Sequence, residues 1–179
     1  MTRSSLHHVP SGFKGVVRHY IRDLVYGAND GLITTFAVVA GVTGGALPAR
    51  TIIIVGVANL FADGLSMGVG NYLSIRSHES ARAAMNLPEE EASPARHGVM
   101  TFLAFASAGT LPILPYLVGM GSFTACTLLT LAGLFGVGSM RALVTVDRWW
   151  QAGLEMLGLG TIVAAAAFGS GALAAWALA

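Results

Sequence analysis

Long apolar runs separated by short clusters of charge dominate the chain. Residues 31–49 hold no charged or histidine side chain, and residues 51–75 hold only Asp63. Residues 98–140 hold none over 43 positions, and residues 156–179 none over 24. A helix crosses a bilayer with about 20 mainly apolar residues. The run 98–140 is therefore long enough for two spans. Pro112, Pro115, Gly119 and Gly121 near its middle predict a tight turn. The pattern predicts five helices, near residues 24–46, 52–76, 98–117, 121–143 and 152–177. The expected fold class is an all-α integral membrane protein with five transmembrane helices.

Composition agrees with that pattern. The 179 residues are 54% apolar and only 11% charged, against about 25% charged in a soluble domain. Mean hydropathy is +0.68, which excludes both a soluble fold and intrinsic disorder. The net charge of +1 gives no basic field for nucleic acid. A single cysteine, Cys126, excludes a disulfide framework and a zinc cluster built on cysteines.

The basic residues are unevenly placed. Arg3, Lys14, Arg18 and Arg22 precede the first span. Arg76, Arg82 and Arg96 lie around the second loop, and Arg141 and Arg148 bound the last. Only Arg50 falls on the other side. Positive charge favours the cytoplasmic face, so the N-terminus is expected inside and the C-terminus on the opposite side. Trp149 and Trp150 fit the inner interface and Trp176 the outer one. Residues 1–22 are expected to form a cytoplasmic segment without a cleavable signal. Phe13, Val16, Val17, Tyr20 and Ile21 alternate there with Lys14, Arg18 and Arg22, as in an amphipathic interfacial helix. A plain basic tail explains the same residues equally well. Residues 23–179 form the membrane domain, whose only sizeable loop is 77–96. His7 and His8 read as incidental terminal residues.

The informative positions are ionisable residues inside apolar spans. These cost several kcal/mol and rarely face lipid. Asp30 lies about two turns into span one, Asp63 in the middle of span two, and Glu155 about one turn into span five. Asp23 and Asp30 are seven apart, within about 20° of one helix face. Asn59, Asp63, Met67 and Asn71 recur every four residues and form a polar stripe on span two. Counted from the cytoplasmic ends, Asp30 and Met67 fall at similar depth. A carboxylate with a thioether suits a late first-row divalent metal better than magnesium or calcium. Gly27 and Gly31, with Gly64 and Gly68, have the small-residue spacing that lets helices approach closely.

These residues also carry a family resemblance. The run Ile21-Arg22-Asp23-Leu24-Val25-Tyr26-Gly27-Ala28-Asn29-Asp30-Gly31-Leu32 resembles the first-helix signature of the vacuolar iron transporter family. Ala62-Asp63-Gly64-Leu65-Ser66-Met67-Gly68, followed by Gly70-Asn71-Tyr72-Leu73-Ser74, resembles its second. Trp149-Trp150-Gln151-Ala152-Gly153-Leu154-Glu155-Met156-Leu157 resembles the start of its fifth. The resemblance implies a homodimer that exchanges Fe²⁺ for protons along a path between subunits, with Asp30 and Met67 lining it. It also implies an acidic entrance residue at Asp23. The family glutamate two turns before the methionine corresponds here to Asn59, so its role does not pass directly to Asp63. Well-known members insert a cytoplasmic metal-gathering domain after span two; this chain has only residues 77–97 there. His78, Glu79, Glu89, Glu90, Glu91 and His97 suit loose metal binding, although a solvated charged loop is the simpler reading.

The expected function is export of a divalent transition metal, Fe²⁺ or Mn²⁺, from the cytoplasm by proton antiport. Metal ligands are expected at Asp30, Met67, Asp23 and Asp63. Asn59, Asn71 and Glu155 are expected along the path or its vestibule. No resident cofactor is expected, and no enzyme signature of the GxSxG, HExxH or Walker kind is present. The alternative is a membrane metal sensor or scaffold without flux. A compact chain without a visible targeting peptide fits a bacterial inner membrane better than a vacuole.

Overall fold

The computed structural model describes residues 10–142 and 145–178. Arg3, His7 and His8 lie outside the described residues. Five helices follow one another: α1 (Gly12–Gly44), α2 (Ala49–Ala84), α3 (Pro94–Leu117), α4 (Phe123–Arg141) and α5 (Trp149–Leu178). All five are long and apolar enough to cross a membrane, as the spacing of charge predicts.

Two helices are longer than their apolar runs. α1 has 33 residues and α2 has 36, so each extends about 50 Å at 1.5 Å per residue. A bilayer core is only about 30 Å thick. The charged ends therefore stand beyond it: residues 12–22 of α1 and residues 76–84 of α2. No break separates residue 22 from residue 23, because residues 12–22 are the beginning of α1 itself. Pro112 and Pro115 also lie within a helix, in the last turns of α3. The turn to α4 is made instead by Gly119 and Gly121, at φ of +79° and +53°, a region glycine enters without a Cβ penalty.

Among the described residues α1 is the central helix and packs against all four others, whereas α2 touches only α1 and α3, and α5 only α1 and α4. Glycine permits the closest of these contacts. A Cβ at Gly27 or Gly31 would collide with the backbone carbonyl of Thr101 or Phe105 on α3. Gly64 faces the Phe102 and Phe105 rings, and Gly68 the Gly98 carbonyl, so α2 meets the same helix. The apolar core beside these seams contains Phe36, Val39, Leu60, Phe105, Ile113 and Cys126. Phe61, Leu65, Val69 and Leu73 on the outer side of α2 are exposed, as a lipid-facing surface requires.

Candidate functional site

Polar groups gather at two levels, one inside the apolar slab and one at its charged end. The α2 stripe is half-buried throughout, with Asn59, Asp63 and Met67 at the inner level and Asn71 at the charged end. Asp30 on α1 is half-buried as well. Asp63 lies on α2, which packs against α1. Like charges in low dielectric repel, and a cation or proton between them relieves the repulsion. Met67 packs partly buried against the apolar core. The side-chain amide nitrogen of Asn59 and the hydroxyl of Thr35 are buried without a hydrogen-bond partner. Such orphaned groups cost about 1–3 kcal/mol each.

The charged end is more highly organised. Asp23, one helical face above Gly27, is only 2% exposed. The sequence-based expectation is an acidic residue at the entrance, and here side chains of α2 and α3 cover it. The Asn71 amide donates to its Oδ1 at 2.7 Å, and His97 Nδ1 lies 2.5 Å from its Oδ2. The same Asn71 nitrogen donates to Thr101 Oγ1 at 2.8 Å, so α1, α2 and α3 share one hydrogen-bonded knot. Arg22 is a distant partner at 3.8 Å.

The short connection from α2 to α3 is partly exposed but tied down by hydrogen bonds. Glu79, still helical and buried, accepts the backbone N–H groups of Glu90 and Glu91. Arg82 donates to the Pro88 carbonyl and pairs with Glu90 at 2.8 Å. Glu91 Oε1 accepts from the Ser93 N–H at 2.8 Å. Its other oxygen, Oε2, lies 2.9 Å from His97 Nε2 and 3.3 Å from His19 Nε2. His19, His97, Asn71, Glu79 and Glu91 line a cavity of about 600 Å³. His19 escapes a reading of the apolar pattern. Its only signal is a position one turn before Asp23 on the same helix face.

Glu155 stands apart from both levels. Its carboxylate is exposed and pairs with Arg141 of α4 at 2.9 Å. The two line a separate cavity of about 410 Å³ together with Arg22 and Asn29. That cavity brings the α1, α4 and α5 segments bearing Arg22 and Arg141 to one end of the bundle, as the asymmetry of basic residues requires.

A five-span helical bundle with carboxylates inside two of its spans defines a class of ion-handling membrane protein. The sequence model of the VIT family matches residues 21–91 and 79–172. The chain belongs to the VIT family, and the resemblance read from its first, second and fifth helices holds. Vacuolar iron transporter 1 of Arabidopsis thaliana is 25% identical, over 90% of this chain and 88% of the relative. Vacuolar iron transporter 1 of Eucalyptus grandis is 24% identical, over 83% of this chain and 84% of the relative. A shorter match, 38% identical over 81 residues, links 40% of this chain to 27% of the vacuolar iron transporter of Toxoplasma gondii. The Arabidopsis alignment runs over 222 positions, more than the 179 residues here, so that relative carries residues this chain lacks. The relatives' names refer to the vacuole, and they lend the expectation of a bacterial membrane no support.

Proposed function

We propose that this chain transports a divalent transition metal, Fe²⁺ foremost, out of the cytoplasm in exchange for protons. The observation that carries the reading is a half-buried carboxylate on each of two adjoining spans, Asp30 on α1 and Asp63 on α2, in a membrane protein of the VIT family. The names of the relatives, all vacuolar iron transporters, support iron as the cargo. Met67 adds a soft thioether to the oxygen ligands, which suits a late first-row ion.

Charge arithmetic explains why protons are the counter-ion. Two carboxylates and one divalent cation sum to zero, and so do two carboxylic acids. Exchange between these states moves no net charge into the low-dielectric slab. Metal binding requires deprotonated ligands, so loading the ion releases protons. The two carboxylates are Asp30 and Asp63 of one chain, or the two Asp30 side chains of a homodimer. The family resemblance favours a homodimer. The orphaned Thr35 hydroxyl offers an oxygen to an ion or water passing beyond that level, and the Asn59 amide nitrogen can donate to such a water.

The test is flux in sealed liposomes with a pH dye and a metal dye inside. Under an imposed proton gradient, anaerobic Fe²⁺ is expected to enter with opposite proton movement. Asp30→Asn is expected to leave the protein folded and abolish both signals. Full flux in that variant refutes the proposal. Metal binding without flux in the wild type favours the sensor reading, and a response to Mn²⁺ alone changes the cargo.

A further inference from the structure

The knot at the charged end contains a ligand set separate from the intramembrane carboxylates. His19 of α1, His97 of α3 and Glu91 of the connecting loop each offer one ligand atom, all within 4.8 Å of one another. We infer that these three side chains form a metal site for a divalent transition ion at the cytoplasmic mouth.

Orientation is the first argument. Asp23 Oδ2 takes the Nδ1 side of His97, which turns Nε2 toward Glu91. A buried carboxylate behind a histidine in this way fixes the orientation of the ring as a ligand. Glu91 is aimed similarly: Ser93 N–H holds its Oε1, leaving Oε2 facing both imidazole Nε2 atoms. The two imidazole rings lie 5.0 Å apart, centre to centre, and Tyr20 packs on both of them. A metal about 2.1 Å from each ligand atom requires those atoms to lie within about 4.2 Å of one another. The arrangement reaches that with shifts of less than an ångström.

Access is the second argument. The three residues line the cavity of about 600 Å³. His97 and Asp23 are almost fully covered, whereas His19 and Glu91 keep 21% and 15% of their side chains exposed. The buried groups position, and the partly exposed ones admit. Two imidazoles and one carboxylate select Mn²⁺, Fe²⁺, Co²⁺ or Zn²⁺ over Mg²⁺ and Ca²⁺, which prefer all-oxygen sites. A loading role for this site, in place of a separate metal-gathering domain, rests on the transport reading above. Its existence as a binding site does not.

Equilibrium binding by the full-length protein in detergent, with Co²⁺ as a spectroscopic probe, tests the inference. A saturable visible band from histidine-ligated Co²⁺ is expected, one equivalent per chain beyond any Co²⁺ held at Asp30, and excess Mg²⁺ is expected to leave it unchanged. Glu91→Gln and His19→Gln are expected to lose it, as is His97→Ala if that variant folds. Asp23→Asn is expected to weaken binding about 10- to 100-fold, the usual effect of losing a carboxylate behind a ligand. Asp30→Asn is expected to retain the spectrum while losing flux. An unchanged spectrum in folded Glu91→Gln and His19→Gln overturns the inference, as does displacement by Mg²⁺. Co²⁺ bound at this site in a protein without flux upholds it and overturns transport instead.

Discussion

One carboxylate oxygen of Glu79 accepts the backbone N–H groups of both Glu90 and Glu91, at 3.1 and 3.0 Å. That single atom holds the loop against the end of α2 and so places Glu91 beside the histidines. Glu79→Ala removes the acceptor for two partly buried donors, each worth about 1–3 kcal/mol when orphaned. Faster amide hydrogen exchange at Glu90 and Glu91 and a lower unfolding midpoint in detergent are expected. Glu79→Gln keeps an acceptor oxygen and is expected to fall much closer to wild type. Unaltered exchange in the alanine variant refutes the pinned-loop description. Asp23 shows why residue-level reading of a sequence stops short. Its helical phase with Asp30 was legible, but its main partner His97 is 74 positions away. A periodicity argument has no term for that contact. The same limit hides His19, whose neighbours come from α3 and the loop.

Helix α3 is the common wall of the molecule, because both glycine pairs press against it. Gly27 and Gly31 bring α1 onto Thr101 and Phe105, while Gly64 and Gly68 bring α2 onto Phe102 and Gly98. Gly31→Ala would put a methyl into the Phe105 carbonyl, and overpacking of this kind costs about 1–3 kcal/mol. Its unfolding midpoint in detergent is expected to fall accordingly. Gly70→Ala is the matched control: its methyl meets nothing within 4 Å. It is expected to be neutral or to stabilise by up to about 1 kcal/mol, since alanine is the better helix former. Equal destabilisation by the two substitutions would count against the α1–α3 seam. The small-residue spacing was visible along the chain, but the helix it faces was not. Spacing reports that a face is smooth and leaves its partner open.

For the molecule as a whole, the asymmetry of basic residues predicts that the α2–α3 loop lies inside and the α3–α4 turn outside. Cys126 is fully buried, so a Cys126→Ser background leaves single introduced cysteines as clean reporters. In spheroplasts of a bacterial host, an impermeant maleimide is expected to label Met120→Cys in the α3–α4 turn. It is expected to miss Ala92→Cys in the α2–α3 loop until the membrane is opened. The reverse pattern would invert the orientation. The number of spans, their approximate limits and the presence of carboxylates within them were all determined by the sequence. Each follows from the local cost of putting charge into hydrocarbon, which every stretch of chain meets separately. Tertiary structure decided how far α1 and α2 project beyond the slab, that Asp23 is buried, and that His19, Glu91 and His97 converge. Those outcomes depend on which helix faces meet and on a loop anchored by backbone hydrogen bonds. They are set by contacts between residues far apart in the chain, where periodicity and composition carry no information.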